Sequence, residues 1–148
     1  MKKGFTLIEL LITITILTTL IAATLIAINP GTQFAKANNV KRNSDVNALL
    51  SAIGQYAADH QGTLPAGITT SPQTIANTGA DICSLLVTLY IAELPVDPLT
   101  NGGKPISNCG VAYTTNYTVV KGATDNRVTV SAPATQIPPG TDIISITR

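Results

Sequence analysis

The chain has 148 residues, room for one domain and too few for two comfortable ones. Nine Lys+Arg nearly balance eight Asp+Glu, and only 11% of residues are charged, which argues against a nucleic-acid binder relying on bulk positive charge. Apolar residues make up 45% with aromatics at 4%, and residues 5–28 hold a single charge, Glu9, a distribution unlike that of an ordinary cytosolic enzyme.

The first element follows Met1-Lys2-Lys3-Gly4 and runs apolar from Phe5 to Ile28. At about 1.5 Å per residue this stretch spans roughly 36 Å as a helix, enough to cross a bilayer core. Fourteen of its 24 residues are Phe, Leu or Ile. They contribute about −4 to −8 kcal/mol toward insertion, against at most about 3 kcal/mol for one carboxylate near the helix end. The alternation Ile12-Thr13-Ile14-Thr15-Ile16 reads locally as a strand. A lone strand cannot satisfy its backbone in lipid, so helix is the reading that survives. Six threonines (Thr6, Thr13, Thr15, Thr18, Thr19 and Thr24) can bond back to carbonyls or pack against a neighbouring helix. A secretory signal peptide with its cut at Ala35-Lys36-Ala37 is an alternative, but the apolar run exceeds the usual roughly 7–15 residues. A plain signal anchor is another.

Lys2-Lys3-Gly4-Phe5-Thr6-Leu7-Ile8-Glu9, continuing through Leu10-Leu11-Ile12, resembles the leader of type IV prepilins and type II secretion pseudopilins. The resemblance implies cleavage between Gly4 and Phe5 by a prepilin peptidase and methylation of the new Phe5 amine. It further implies that Glu9 sets axial register in a filament. An ammonium on Phe5 of one subunit can pair with the Glu9 carboxylate of another, where an unpaired charge would cost several kcal/mol. The bland alternative is a Glu9 that snorkels to the interface without a partner. The family often bends this helix at a Gly or Pro, whereas this chain places Thr18 and Ile26 there and its Pro later, at Pro30.

Beyond Asn29-Pro30-Gly31, two strong breakers, a helical pattern resumes from Phe34 to His60. Val46, Leu49, Leu50, Ile53, Tyr56 and Ala57 form an amphipathic stripe, and Gly62 and Pro65 supply a stop. The expectation is one long helix from Phe5 to about His60, bent or interrupted near Pro30. Residues 62–80 read as a surface loop, and Asp81 to Leu94 as a short helix stopped by Pro95. Leu94-Pro95-Val96-Asp97-Pro98-Leu99 resembles, over a short stretch, the loop before the sheet of major pseudopilins. Val111, Tyr113, Thr115, Tyr117 and Val119 alternate on one strand face; Gly122 to Asn126 is a turn and Arg127 to Ala132 a second strand. Pro133 to Gly140 makes a loop and Thr141 to Thr147 a third strand.

The fold class expected is α+β: a long N-terminal helix with an apolar first half, and a small head of antiparallel sheet packed on its second half. The segments are a leader at 1–4, a transmembrane or filament-core helix at 5–28, an amphipathic half at 29–61 and a head at 62–148. Cys83 and Cys109, an even pair in an exported domain, are a candidate disulfide worth roughly 3.5 kcal/mol by chain entropy; two buried thiols are the alternative. Many pilins pin a C-terminal loop with their bridge instead.

Little else carries chemistry. His60 is the only histidine, so neither a Ser-His-Asp nor a Cys-His arrangement nor a His-rich metal site can be assembled around more than one ring. Asp97, Asp125 and Asn126 are weak calcium candidates, calcium being bound by related pseudopilins, although such loop residues more often form turns. Asn116-Tyr117-Thr118 formally matches a glycosylation acceptor in mid-strand. Lys36, Lys41 and Arg42 are expected to face lipid headgroups or acids on a neighbouring subunit, or DNA in an uptake filament. No enzyme chemistry, catalytic residue or cofactor emerges.

The resemblance thus implies a structural subunit of a type IV pilus-like filament. Its partners would be further copies of itself, the prepilin peptidase, inner-membrane assembly machinery and, before assembly, membrane lipid. It would be a single-pass precursor in the cytoplasmic membrane, then part of an extracytoplasmic filament. A type II secretion pseudopilin, a DNA-uptake pilin and a monomeric signal-anchored binding domain are the alternatives.

Overall fold

The protein is described by a computed structural model over residues 4–136 and 143–148. It divides into two compact units, Met1–Ala35 and Lys36–Arg148. The first is dominated by helix α1, Leu7–Ile28, none of whose residues is buried. Its mean hydropathy is 2.5, and its length and composition suffice to cross a membrane. At Asn29 the backbone turns left-handed (φ 46°), a conformation Asn tolerates better than most residues, and α1 stops there. Helix α2, Pro30–Asp59, restarts at once with Pro in its first position, where the missing N–H costs nothing. Helix is thus present on both sides of one non-helical residue, beside the Pro that the sequence marks as the breaker.

In the second unit α2 contributes Val46, Leu49, Leu50, Ala52 and Ile53 to the core, the stripe read from their spacing. The helix ends where Gln61 and Gly62 turn left-handed and the Gly62 N–H closes onto the Ala57 carbonyl at 2.7 Å. Against the stripe lies an antiparallel sheet in the order β1-β2-β3-β4: Gln73–Ala76, Thr114–Lys121, Val128–Ala132 and Ile144–Thr147. Tyr117, Val119, Val128, Val130 and Ala132 face the helix, and Ile75, Ile82, Leu86 and Leu94 complete the core. The architecture is α+β with the sheet packed on α2.

Three expectations need correction. The sheet has four strands, not three: Gln73–Ala76, inside the stretch read as loop, pairs with β2. Gly79 makes the return possible, because a Cβ there would run into the Thr74 carbonyl oxygen. Next, the helix expected from Asp81 to Leu94 is a single turn, α3, Cys83–Leu86. It ends because Val87 turns extended and Thr88 adopts a left-handed φ of 74°, closing a tight loop back to Ile91. Finally, Val111 is exposed and outside β2, although Tyr113, Thr115, Tyr117 and Val119 are buried as their alternation requires. Of the loop and third strand expected at 133–147, residues 137–142 lie outside the described residues, and β4 begins at Ile144. Lys2 and Lys3 of the leader also lie outside them.

Candidate functional site

Two places gather the residues singled out by sequence. At the N-terminus, Thr6 caps α1: its Oγ1 accepts the Glu9 N–H at 3.3 Å. Glu9 therefore occupies the third helical position of a Thr-x-x-Glu pattern, close to the positive end of the helix dipole. Among the described residues its carboxylate meets only the Thr6 hydroxyl, at 3.5 Å, and it is exposed. Phe5 is 78% exposed beside it. The capping pattern was legible in the sequence, and it gives Glu9 a local role that the filament reading overlooks. Residues 1–25 match the family model of the prokaryotic N-terminal methylation motif. That motif is typical of type IV pilins and pseudopilins, and with the apolar helix it fits a membrane-anchored precursor. No curated protein and no solved structure matches the chain.

Within the methylation-motif helix every later threonine turns its hydroxyl inward. Thr13 donates to the Leu10 carbonyl at 2.8 Å, Thr15 to Leu11 at 2.7 Å and Thr24 to Ile21 at 2.8 Å. Thr18 and Thr19 each bridge two carbonyls of the preceding turn. Such back-bonding is what lets a hydroxyl enter an apolar medium without an unsatisfied donor. The surface offered outward is then almost wholly aliphatic.

The second place is a polar network in the core of the head. Arg42 and Asp97 are both 0% exposed, with the guanidinium donating from Nε at 2.6 Å and Nη2 at 3.1 Å to the two carboxylate oxygens. Asp97 also accepts the Leu99 N–H, and its own N–H donates to the Thr115 carbonyl on β2. The remaining Arg42 nitrogen donates to Asn39 Oδ1 and Gln136 Oε1. Asn39 in turn clasps the main chain of Gln136, donating to its carbonyl and accepting from its N–H, both at 2.9 Å. One turn along α2, Asp45 accepts from the Tyr117 hydroxyl at 2.8 Å and from Lys41 at 2.9 Å. Burial, then the bond to Asp45, pushes the Tyr117 phenol well above its ordinary range. Burial and a bond to Asp81 do the same to Tyr113. Every buried side-chain polar atom among the described residues has a partner, as a network in low dielectric must.

This network corrects two expectations. Arg42 does not face lipid, DNA or a neighbouring subunit; a partner 55 residues away has drawn it inside, and Lys41 is engaged by Asp45 on its own helix. Lys36 alone of the three is exposed and outside any ion pair among the described residues. Asp97 is equally closed to calcium, both of its oxygens being taken by Arg42. Asp125 sits in the β2–β3 turn and accepts the Arg127 N–H at 3.2 Å, the turn-forming role usual for such residues. Among the described residues no three His, Cys, Asp or Glu side chains come together as a metal would require.

Cys83 and Cys109 are joined by a disulfide with Cα atoms 5.5 Å apart. The bond ties α3, buried in the core, to the partly exposed segment that precedes β2. His60 stacks on Tyr56 with ring centroids 3.9 Å apart, and its Nδ1 lies 2.8 Å from the Tyr56 carbonyl. Asn116 has a left-handed backbone (φ 62°) within β2, where the pairing with β1 slips. That bulge belongs to the way Thr115 reaches the Ile75 carbonyl, on β1, while Tyr117 reaches Asp45.

Proposed function

We propose that the chain is the structural subunit of a type IV pilus-like filament, made as a membrane precursor and cut after Gly4. The observation that carries this is the coincidence of the methylation motif with a helix of 22 residues, none of them buried, bearing one acid in its first turn. A prepilin peptidase would remove residues 1–4 and methylate the Phe5 amine. Residues 5–28 would lie in lipid and then in the filament core, residues 29–61 would join core to head, and residues 62–148 would form the outer surface. Inner-membrane machinery would carry out the transfer.

In this reading two forces act together. Burial of α1 among its copies supplies cohesion without direction, since aliphatic packing is tolerant of axial slippage. Direction comes from charge: the Phe5 ammonium of one subunit and Glu9 of another attract strongly only in one register, because either left unpaired in a dry core costs several kcal/mol. The Thr6 cap supports the arrangement by holding Glu9 in the first turn, near the new N-terminus.

N-terminal mass analysis of protein expressed with its own prepilin peptidase tests the proposal. A peptide beginning at methylated Phe5 is expected. An intact Met1 end would leave a simple anchored domain, and a start near Asn38 an ordinary secreted one.

A further inference from the structure

The head carries a groove of about 700 Å³, a size suited to small ligands, between the β1–α3 connection and the segment that the disulfide closes. Its polar lining includes Asn77, Lys104, Ser107 and Asn108, and no acidic side chain among the described residues contributes. The hydrogen bonds around it are one-sided. Asn77 Oδ1 accepts the Tyr113 N–H at 3.2 Å, and Asn108 Oδ1 accepts the Gly110 N–H at 2.9 Å. These bonds fix the amide orientation, turning each Oδ1 toward the backbone and leaving its Nδ2 without a partner among the described residues. Lys104 forms no ion pair among the described residues. Among the described residues, neither Nδ2 group nor the Lys104 ammonium meets a side-chain partner, so the groove presents three free donors.

The wall is held firmly for so exposed a stretch. Leu94 and Ile106 exchange both backbone hydrogen bonds, at 2.8 and 2.9 Å, and Cys109 is bonded covalently to a fully buried Cys83. Asn101, Gly102 and Gly103 are all left-handed, the last packed so closely that a Cβ would lie 3.3 Å from Pro98. Left-handed backbone is unfavourable for most residues, and this run fixes the path of the chain into Lys104. A preorganised wall lowers the entropy that binding must overcome.

We propose that this groove binds an oxyanion, a carboxylate or phosphate group carried on a small oxygen-rich molecule such as an acidic sugar. Lys104 supplies the charge, and the Asn77 and Asn108 Nδ2 groups supply directed donors. Ile106, Val111 and Tyr113 offer apolar surface to the body of the ligand.

The test is titration of the full chain in non-ionic detergent with sodium glucuronate, inorganic phosphate and glucose, following the side-chain amide NMR signals of Asn77 and Asn108. Glucuronate is expected to shift both signals saturably and glucose to shift neither. Phosphate binding as well as glucuronate assigns recognition to the oxyanion alone; tighter glucuronate binding adds the sugar body. Asn77→Asp and Asn108→Asp keep the oxygen that holds the backbone N–H, so the fold persists, but replace the donor by a negative oxygen. Each should weaken binding more than tenfold, and Lys104→Gln roughly two- to fivefold. Amide signals unmoved by glucuronate and phosphate into the tens of millimolar would overturn the proposal. So would equal binding of glucose, or Asn108→Asp binding as well as wild type.

Discussion

Helix α1 and the head handle polarity in opposite ways. In α1 the hydroxyls are satisfied within one turn by their own backbone, and not one residue is buried. In the head, the buried Arg42–Asp97 pair and the half-buried Asn39–Gln136 clasp join residues 55 and 97 apart in sequence. A local solution leaves a segment indifferent to its surroundings, whereas a long-range solution exists only in the folded state. The first suits a helix that must find its partners outside the chain. The second ties the head to a single arrangement.

The sharpest way to break this contrast is at Glu9, the one charged residue of α1, which forms no ion pair among the described residues. Glu9→Val should leave membrane insertion intact or improved, yet reduce assembled filaments severely, as counted by electron microscopy of sheared preparations. Filaments at wild-type abundance would remove the register role. In the head, Asp97→Ala leaves Arg42 charged, buried and short of two acceptors. A loss of about 3–5 kcal/mol in denaturant unfolding is expected, and Arg42→Met combined with Asp97→Leu should recover most of it.

A smaller effect should follow from Tyr117. Its phenol titrates higher in the folded head than the ordinary value of 10.0, so folding favours the protonated form. That contribution is complete below pH 10 and is lost as pH rises above it, so stability should fall on the alkaline side. Tyr117→Phe should flatten the part of this alkaline decline due to Tyr117, leaving that of Tyr113, at a cost near 1 kcal/mol at neutral pH from the lost bond to Asp45. An unaltered alkaline limb would show that other groups govern it. The smallest change is Gly54→Ala, in the C-terminal part of α2, where an added Cβ meets nothing within 4 Å. It should stabilise the head by roughly 0.5–1 kcal/mol through helix propensity alone.

Legibility in the sequence followed the same division. The apolar run, the stripe from Val46 to Ile53 and the alternation from Tyr113 to Val119 are local periodicities, and the structure contains them. The methylation motif is local too, being a run of adjacent residues. Strand β1 escaped because Gln73–Ala76 has only four residues in a Thr- and Ser-rich setting; its strand character comes from pairing with β2 about 40 residues on. Arg42 misled for a related reason. Beside Lys41 and near Lys36 it reads as part of a solvated basic face, and only Asp97, delivered by a turn that hydrogen-bonds to β2, explains its burial. Nothing in the spacing of Asn77, Lys104 and Asn108 singles them out, because the groove exists only after the sheet and disulfide have formed.

The inward-turned hydroxyls of α1 have a consequence for transport between environments. A helix whose backbone and side-chain donors are closed on themselves carries its hydrogen bonds with it, so leaving lipid for a bundle of like helices would break none of them. The two surroundings are then nearly isoenergetic for most of its length. Over such a level path a machine would need to work chiefly against the few features that do distinguish lipid from protein, and Glu9 is foremost among them.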